Sequence, residues 1–408
     1  MNAAPSSPRL GEILSGWRTL LGSTLGSSVG VHALPFYTSG LFMVALQADK
    51  GWSRSAISLG TTLFAIGLGV AAPVIGALCD RFGERRIIVP GLVIQVAALI
   101  ALSRIDTLTS FYLAMGGMAL LGAGCGALPY ARIVNSRFHL SKGTALGLMI
   151  TGTAGLSALA PVVIQAVILS YGWRVGYLTH AAVIIIIAPV ALMLLRSGRN
   201  VAVARETVVP VPLNYVRLVR DRTFQLLVVA ILSAALAAPG IITHLAAMLK
   251  DDGISAETGA LLLGLVGLTQ AIARLGTGLL ADRFFAPKVA AVIFSISGLG
   301  FAIFGAVGAP AAVIGAIAAG LAYGAEADLL GYLVGRYFRQ AHFGRIFGVL
   351  VCVFLAGAAL SPLWYGWSAD YFGHYHIGLA GASAVLFLSA IVFCLMPPFP
   401  RNETSDKA

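Results

Sequence analysis

Along the chain, apolar residues gather in long runs separated by short polar breaks. A bilayer is crossed by about 20 residues at 1.5 Å of rise each. Twelve such runs can be delimited, at 18–47, 53–79, 86–105, 108–133, 143–170, 174–195, 223–249, 257–281, 287–308, 310–335, 344–370 and 375–396. The pattern predicts an all-α membrane protein with twelve transmembrane helices. The longest polar break, Arg196 to Arg222, holds Pro210, Pro212, several arginines and no apolar period. It divides the runs six and six. Residues 1–200 and 223–408 are therefore expected to form two pseudo-symmetric six-helix bundles joined by a cytoplasmic linker, 201–222. Pro35, Pro129, Pro161, Pro239 and Pro362 mark expected kinks, where freed backbone groups need protein or water partners.

Composition supports this reading: 58% of the 408 residues are hydrophobic and 11% charged, against about 25% charged in a soluble domain. A net charge of +11 raises the question of nucleic acid, but the basic residues crowd the side that holds both termini. The opposite side carries Lys50, Arg54, Arg104, Arg174 and Lys250. This asymmetry predicts cytoplasmic termini in a plasma (inner) membrane and no nucleic-acid partner. Lipid is the expected surrounding and a monomer the expected state. Cys79, Cys125, Cys352 and Cys394 lie in or at the ends of apolar runs without CxxC or Cys/His spacing, so no disulfide framework, metal site or cofactor is expected. The N-terminal stretch lacks a cleavable signal pattern, leaving the first span as the expected insertion signal. No nucleophile motif or phosphate-binding loop appears, which argues against an enzyme.

The two halves share a short element. Gly76-Ala-Leu-Cys-Asp80-Arg81-Phe82 ends the second run and Gly278-Leu-Leu-Ala-Asp282-Arg283-Phe284 ends the eighth. Duplication at equivalent positions points to a repeated six-helix unit. Gly76, Asp80, Arg81, Gly83 and Arg85 in the first copy, with Asp282 and Arg283 in the second, are candidate gating residues. Ion pairs at this edge could break and reform as the halves rock; the plainer reading is an interfacial anchor.

Arg274, Glu326 and Asp328 lie well inside spans, where a lipid-facing charge costs about 2.5 to 3.5 kcal/mol. Helical rise places Arg274 about 5 Å from the midplane on the terminal side. Gln270 and Thr277 share its face. Tyr323 and Glu326 lie one turn apart at matching depth on the tenth span, which allows an Arg274–Glu326 pair across the bundle. Such a pair serves either a binding site or simple helix pinning. Asp328 falls on a face with Gly324, Gly331 and Gly335, suited to helix contact.

The segment Gly76 to Arg86, GALCDRFGERR, resembles the signature between the second and third helices of the major facilitator superfamily. Narrower stretches are similar to its monocarboxylate transporter and oxalate/formate antiporter branches. They are Gly51-Trp52-Ser53-Arg54, the segment Phe138 to Gly147, and Glu326-Ala-Asp328 with Arg336-Tyr337-Phe338. Monocarboxylate transporters carry an eighth-helix arginine that binds the substrate carboxylate, and Ala273-Arg274 with Gly278-Leu279 matches that motif. Arginine suits the role, being always charged and presenting a planar fork of donors. Animal members hold an aspartate four residues earlier, where this chain has Gln270, which cannot titrate. Oxalate transporters add an eleventh-helix lysine, whereas no Lys or Arg lies between Phe347 and Asp370. One fixed cation fits a monoanion better than a dianion.

The resemblance implies alternating access for a small organic monocarboxylate, with a proton. Arg274 would bind the carboxylate; Gln270, Tyr323, Tyr130, Tyr37 and Trp364 would shape the pocket. Glu326, His244, His32 or Asp328 would carry the proton, with His180 a more remote titratable group. Proton-driven export of larger acids or drugs, and a membrane sensor that binds an acid without moving it, are the other readings.

Overall fold

The computed structural model describes residues 8–195, 215–338 and 342–400. Among the described residues the regular elements are all helical, and eleven helices are long and apolar enough to cross a membrane. The first predicted span is two shorter helices, α2 (Trp17–Ser28) and α3 (Leu34–Lys50), separated by residues 29–33. Pro35 therefore starts a helix and does not kink one; at the second helical position its missing N–H has no partner to lose. His32 sits in this break. A short helix, α1 (Pro8–Ser15), precedes it.

The first bundle continues with α4 (Arg54–Phe82), α5 (Glu84–Leu102), α6 (Leu108–Gly122) extended by α7 (Ala127–Arg137), α8 (Lys142–Tyr171) and α9 (Trp173–Leu195). The second begins after α10 (Tyr215–Arg220) and comprises α11 (Arg222–Asp251), α12 (Ala256–Arg283), α13 (Ala286–Val307), α14 (Ala312–Tyr337), α15 (Phe343–Phe372) and α16 (His376–Cys394). Of the expected linker, residues 201–214 lie outside the described residues. With an even number of crossings, α1 and the end of α16 share one side, here the terminal side; the other is the far side.

Local chemistry sets the helix ends. Ser53, Asp221 and Ser255 accept hydrogen bonds from backbone N–H groups in the first turns of α4, α11 and α12. Gly51 closes α3 at φ 66° and Gly83 turns α4 into α5 at φ 83°, conformations that a side chain disfavours. Pro239 interrupts the α11 ladder, and the adjacent Gly240 N–H donates to Ser361 Oγ on α15 at 2.8 Å.

Across the bundles, α4 packs on α15 and α8 on α12. In span numbers these are 2 with 11 and 5 with 8, pairs that exchange under a two-fold relating the halves. The α4–α15 seam is tight at the far side. Gly366 lies against Ser55 and Ser58, and Thr62 Oγ1 donates to Ala359 O at 2.6 Å. A Cβ at Gly69 would still touch Leu355, at 3.2 Å. Further toward the terminal side, a Cβ at Gly76 or Gly348 would meet no described atom within 4 Å. The bundles thus meet at the far side and part toward the terminal side.

Candidate functional site

Arg274 lies on α12 where that helix meets α3 of the first bundle and α14 of its own. Close approach is permitted by small residues. A Cβ at Gly324 of α14 would fall 2.7 Å from Gln270 O and 2.8 Å from Ala273 Cβ, and one at Gly267 would fall 2.8 Å from Ala158 Cβ of α8. Gln270, one turn before Arg274, is 1% exposed and its Oε1 accepts a hydrogen bond from the Tyr37 hydroxyl of α3. This side-chain bond joins the two bundles at the level of the cation. Phe36 of α3 stacks on Tyr323 of α14, with ring centroids 5.3 Å apart at 25°, and meets Tyr37 edge-on at 5.6 Å. Arg274 interacts electrostatically with His32, Tyr37 and Tyr323. The structure therefore brings together Arg274, Gln270, Tyr37 and Tyr323, with His32 within electrostatic range of the cation. His32 Nδ1 is buried without a hydrogen-bond partner among the described residues.

Other predicted residues lie elsewhere. Glu326 is 3% exposed, and neither carboxylate oxygen has a hydrogen-bond partner among the described residues, so the expected pair with Arg274 is not formed. Glu326 lines a small cavity inside the second bundle, among Ile231, Phe294, Leu330 and Phe393. The matching depth inferred from helical rise was not enough, because the α14 register turns Gly320 and Gly324 toward α12. The Asp328 side chain lies outside the described residues. Tyr130 is 1% exposed and packs against Gly26 of α2, within the first bundle. Trp364 points away from the α4 seam: its Nε1 donates to Gly378 O at 3.0 Å, and its ring lies 5.6 Å from Trp367, which stacks on Tyr371. Such partly exposed aromatics near a helix end suit a membrane interface.

His180 is buried in the first bundle, 3.3 Å from Thr38 Oγ1. His244 is enclosed at the far-side seam, with Nε2 2.9 Å from both Ser58 Oγ and Pro362 O and Nδ1 2.9 Å from the Tyr375 hydroxyl. Pro362 O only accepts, so Nε2 carries the ring proton and Nδ1 accepts from Tyr375.

At the terminal edge, Asp80 pairs with Arg132 at 2.6 Å and Glu84 pairs with the same guanidinium at 3.2 Å. Both acids and Arg132, on α7, belong to the first bundle, so this contact fastens a bundle internally and does not bridge the halves. Arg81 lies over the Phe82 ring at 5.1 Å. Asp282 and Arg283 close α12 at the equivalent place. Sequence reading missed the partner Arg132, and it missed the far-side cluster of Arg54, Asp251, Asp370 and Tyr375. The only signal was Arg54 in the Gly51-Trp52-Ser53-Arg54 stretch, since the other partners lie about 200 or more residues away.

A chain of two such bundles, closed on one side around a charged junction, defines a multi-pass membrane transporter. The sequence profile of the Major Facilitator Superfamily matches residues 25–351 and 245–408, and the chain belongs to that family. Among its relatives is Monocarboxylate transporter 11 of Mus musculus, 26% identical over 344 residues that cover 80% of this chain and 75% of that one. The Fujikurins efflux protein of Gibberella fujikuroi is 29% identical over 150 residues, covering 36% and 32%. The crystal structure of a D-xylose-proton symporter superposes with a TM-score of 0.71 at 14% identity, covering 96% of this chain and 98% of that one, a likeness of fold.

Proposed function

We propose that this chain is a secondary active transporter that moves a small organic monocarboxylate with a proton by alternating access. The observation that carries the reading is Arg274 at the junction of the bundles, one turn from a Gln270 that is hydrogen-bonded across that junction to Tyr37. A guanidinium here offers a carboxylate two parallel donors. Gln270 and Tyr37 position the donor face, and the Phe36–Tyr323 pair supplies an apolar wall for a short carbon skeleton. Among the titratable groups named from the sequence, His32 is the one within electrostatic range of Arg274, which supports giving it the proton role. His244 is already committed to the seam, and Glu326 faces the interior of the second bundle. The excess of Lys and Arg on the terminal side supports cytoplasmic termini in a plasma (inner) membrane.

The test is uptake of labelled lactate, pyruvate and benzoate into proteoliposomes with and without an inward proton gradient, for wild type and Arg274→Lys. The lysine keeps the charge and loses the planar fork, and is expected to lower kcat/KM by about 100-fold, near 3 kcal/mol. Normal transport by Arg274→Lys would rule out a bidentate role. Similarity to a fungal efflux protein supports a second reading, proton-driven export of larger organic acids; counterflow with acids of increasing size separates the two.

A further inference from the structure

We propose that Arg54 is the hub of a far-side gate that holds the bundles closed on the side opposite the termini, with His244 as its positioning residue. The proposal rests on the alternating-access reading above.

Arg54 opens α4 in the first bundle, yet most of its polar contacts reach into the second. Nη1 and Nη2 form a two-pronged pair with Asp251 at the end of α11, at 2.5 and 2.6 Å, and Nε donates to Gln47 at 3.2 Å. The guanidinium carbon lies 5.0 Å from the Tyr375 ring centroid. The Arg54 side chain is 12% exposed and that of Asp251 38%, so the cation is largely enclosed while its acid faces solvent. The same turn makes a second clasp through backbone. Asp370, at the end of α15, accepts from Arg54 N at 3.1 Å and Ser55 N at 2.8 Å, so an acid of one bundle caps a helix of the other. His244 joins the clasps: it accepts from Tyr375, which lies against Arg54, and donates to Pro362 O beside Ser58 of α4. These contacts continue down the seam at helical spacing, Ser55, Ser58 and Thr62 against Asp370, Gly366 and Ala359.

The asymmetry between the two edges supports the assignment. Asp80 and Glu84 at the terminal edge pair with Arg132 within one bundle, as Lys50 with Asp106 and Arg174 with Asp49 do at the far edge, whereas Arg54–Asp251 and the Asp370 cap cross between bundles. In this conformation the separable contacts are on the far side. For a substrate to enter or leave there, Asp251 and Asp370 must let go of α4.

The experiment reads the two sides independently of any substrate. Thr62→Cys reports the far half of the seam, and Gly348→Cys, three to four turns further along the α15 face, reports the terminal half. Each is labelled with a membrane-impermeant maleimide in vesicles of defined orientation, alone and combined with Asp251→Asn or Arg54→Gln. Opening the gate is expected to speed Thr62→Cys labelling at least about fivefold, equivalent to about 1 kcal/mol, and to slow Gly348→Cys labelling. The charge reversal Arg54→Asp with Asp251→Arg restores at least half of the wild-type protection. Unchanged labelling of Thr62→Cys, or a rise at both probes, overturns the gate, because a rise at both marks general loosening. Reciprocal labelling together with no flux of any monocarboxylate upholds the gate and removes the proposed substrate. Loss of protection in His244→Gln, with slower Gly348→Cys labelling, supports its positioning role; wild-type labelling in His244→Gln refutes it.

Discussion

Gln270 stands where animal members of the monocarboxylate branch hold an acid, and its amide is engaged by Tyr37 and buried at the bundle junction. On the proposed reading, an amide at that place would leave Arg274 its full positive field toward an incoming anion and would pass the task of carrying a proton to another group. His32 lies within electrostatic range of Arg274 on irregular backbone between α2 and α3, whereas Glu326 lines a cavity inside the second bundle. His32→Gln is therefore expected to retain counterflow exchange while losing acid stimulation of net uptake; Glu326→Gln is expected to keep both. Acid stimulation that survives in His32→Gln would end the proton assignment. Both residues were legible as candidates from sequence. Their ranking was not, because helical rise gives depth along the bilayer normal but says little about which way a neighbouring helix is turned.

At the scale of elements, the break in the first span and the docking of α1 were invisible to a hydropathy pattern that sees only an apolar run. Glu12 of α1 accepts from His139 N at 2.7 Å, from Ser141 N at 2.8 Å and from Ser141 Oγ at 2.6 Å. These bonds, the His139 N–H foremost, bring its pKa from 4.5 down to about 2. Because the folded value lies below the unfolded one, the stabilisation of this dock is fully present above about 4.5 and is lost as pH falls toward 2. Trp17 at the start of α2 reports the dock: its fluorescence should be constant from pH 8 to 5 and change below about 4, while Glu12→Ala should show the acid signal at every pH. A wild-type signal flat to pH 2.5 would mean that Glu12 does not hold α1. The helix ends were more legible. Ser53, Asp221, Ser255 and the positive-φ glycines act within one turn of their own position, so their chemistry is local.

For the molecule as a whole, the contacts that join the halves are made by helix faces, and the polar stretch between α9 and α11 is a tether by composition. Residues 1–205 and 206–408 expressed as separate chains are therefore expected to assemble and to retain at least about half of the single-chain uptake. If co-expressed halves assemble but do not transport, the linker has a role beyond tethering; if they do not assemble, the seam is too weak to join them unaided.

The run lengths, the repeated Gly-x-Leu-x-Asp-Arg-Phe element and the charge asymmetry determined the fold class and the six-plus-six organisation, and the cost of a buried cation singled out Arg274 as a candidate. Each follows from properties additive along the chain: hydrophobic length, internal similarity, and the cost of a charge in lipid. The tertiary structure decided which groups meet. It brought Tyr37 to Gln270 across 233 positions and Arg54 to Asp251 across 197. It placed Glu326, Tyr130 and Trp364 away from the Arg274 junction. Those outcomes depend on helix rotation and on glycines that let particular faces approach, and a one-dimensional pattern of apolar runs is nearly blind to both.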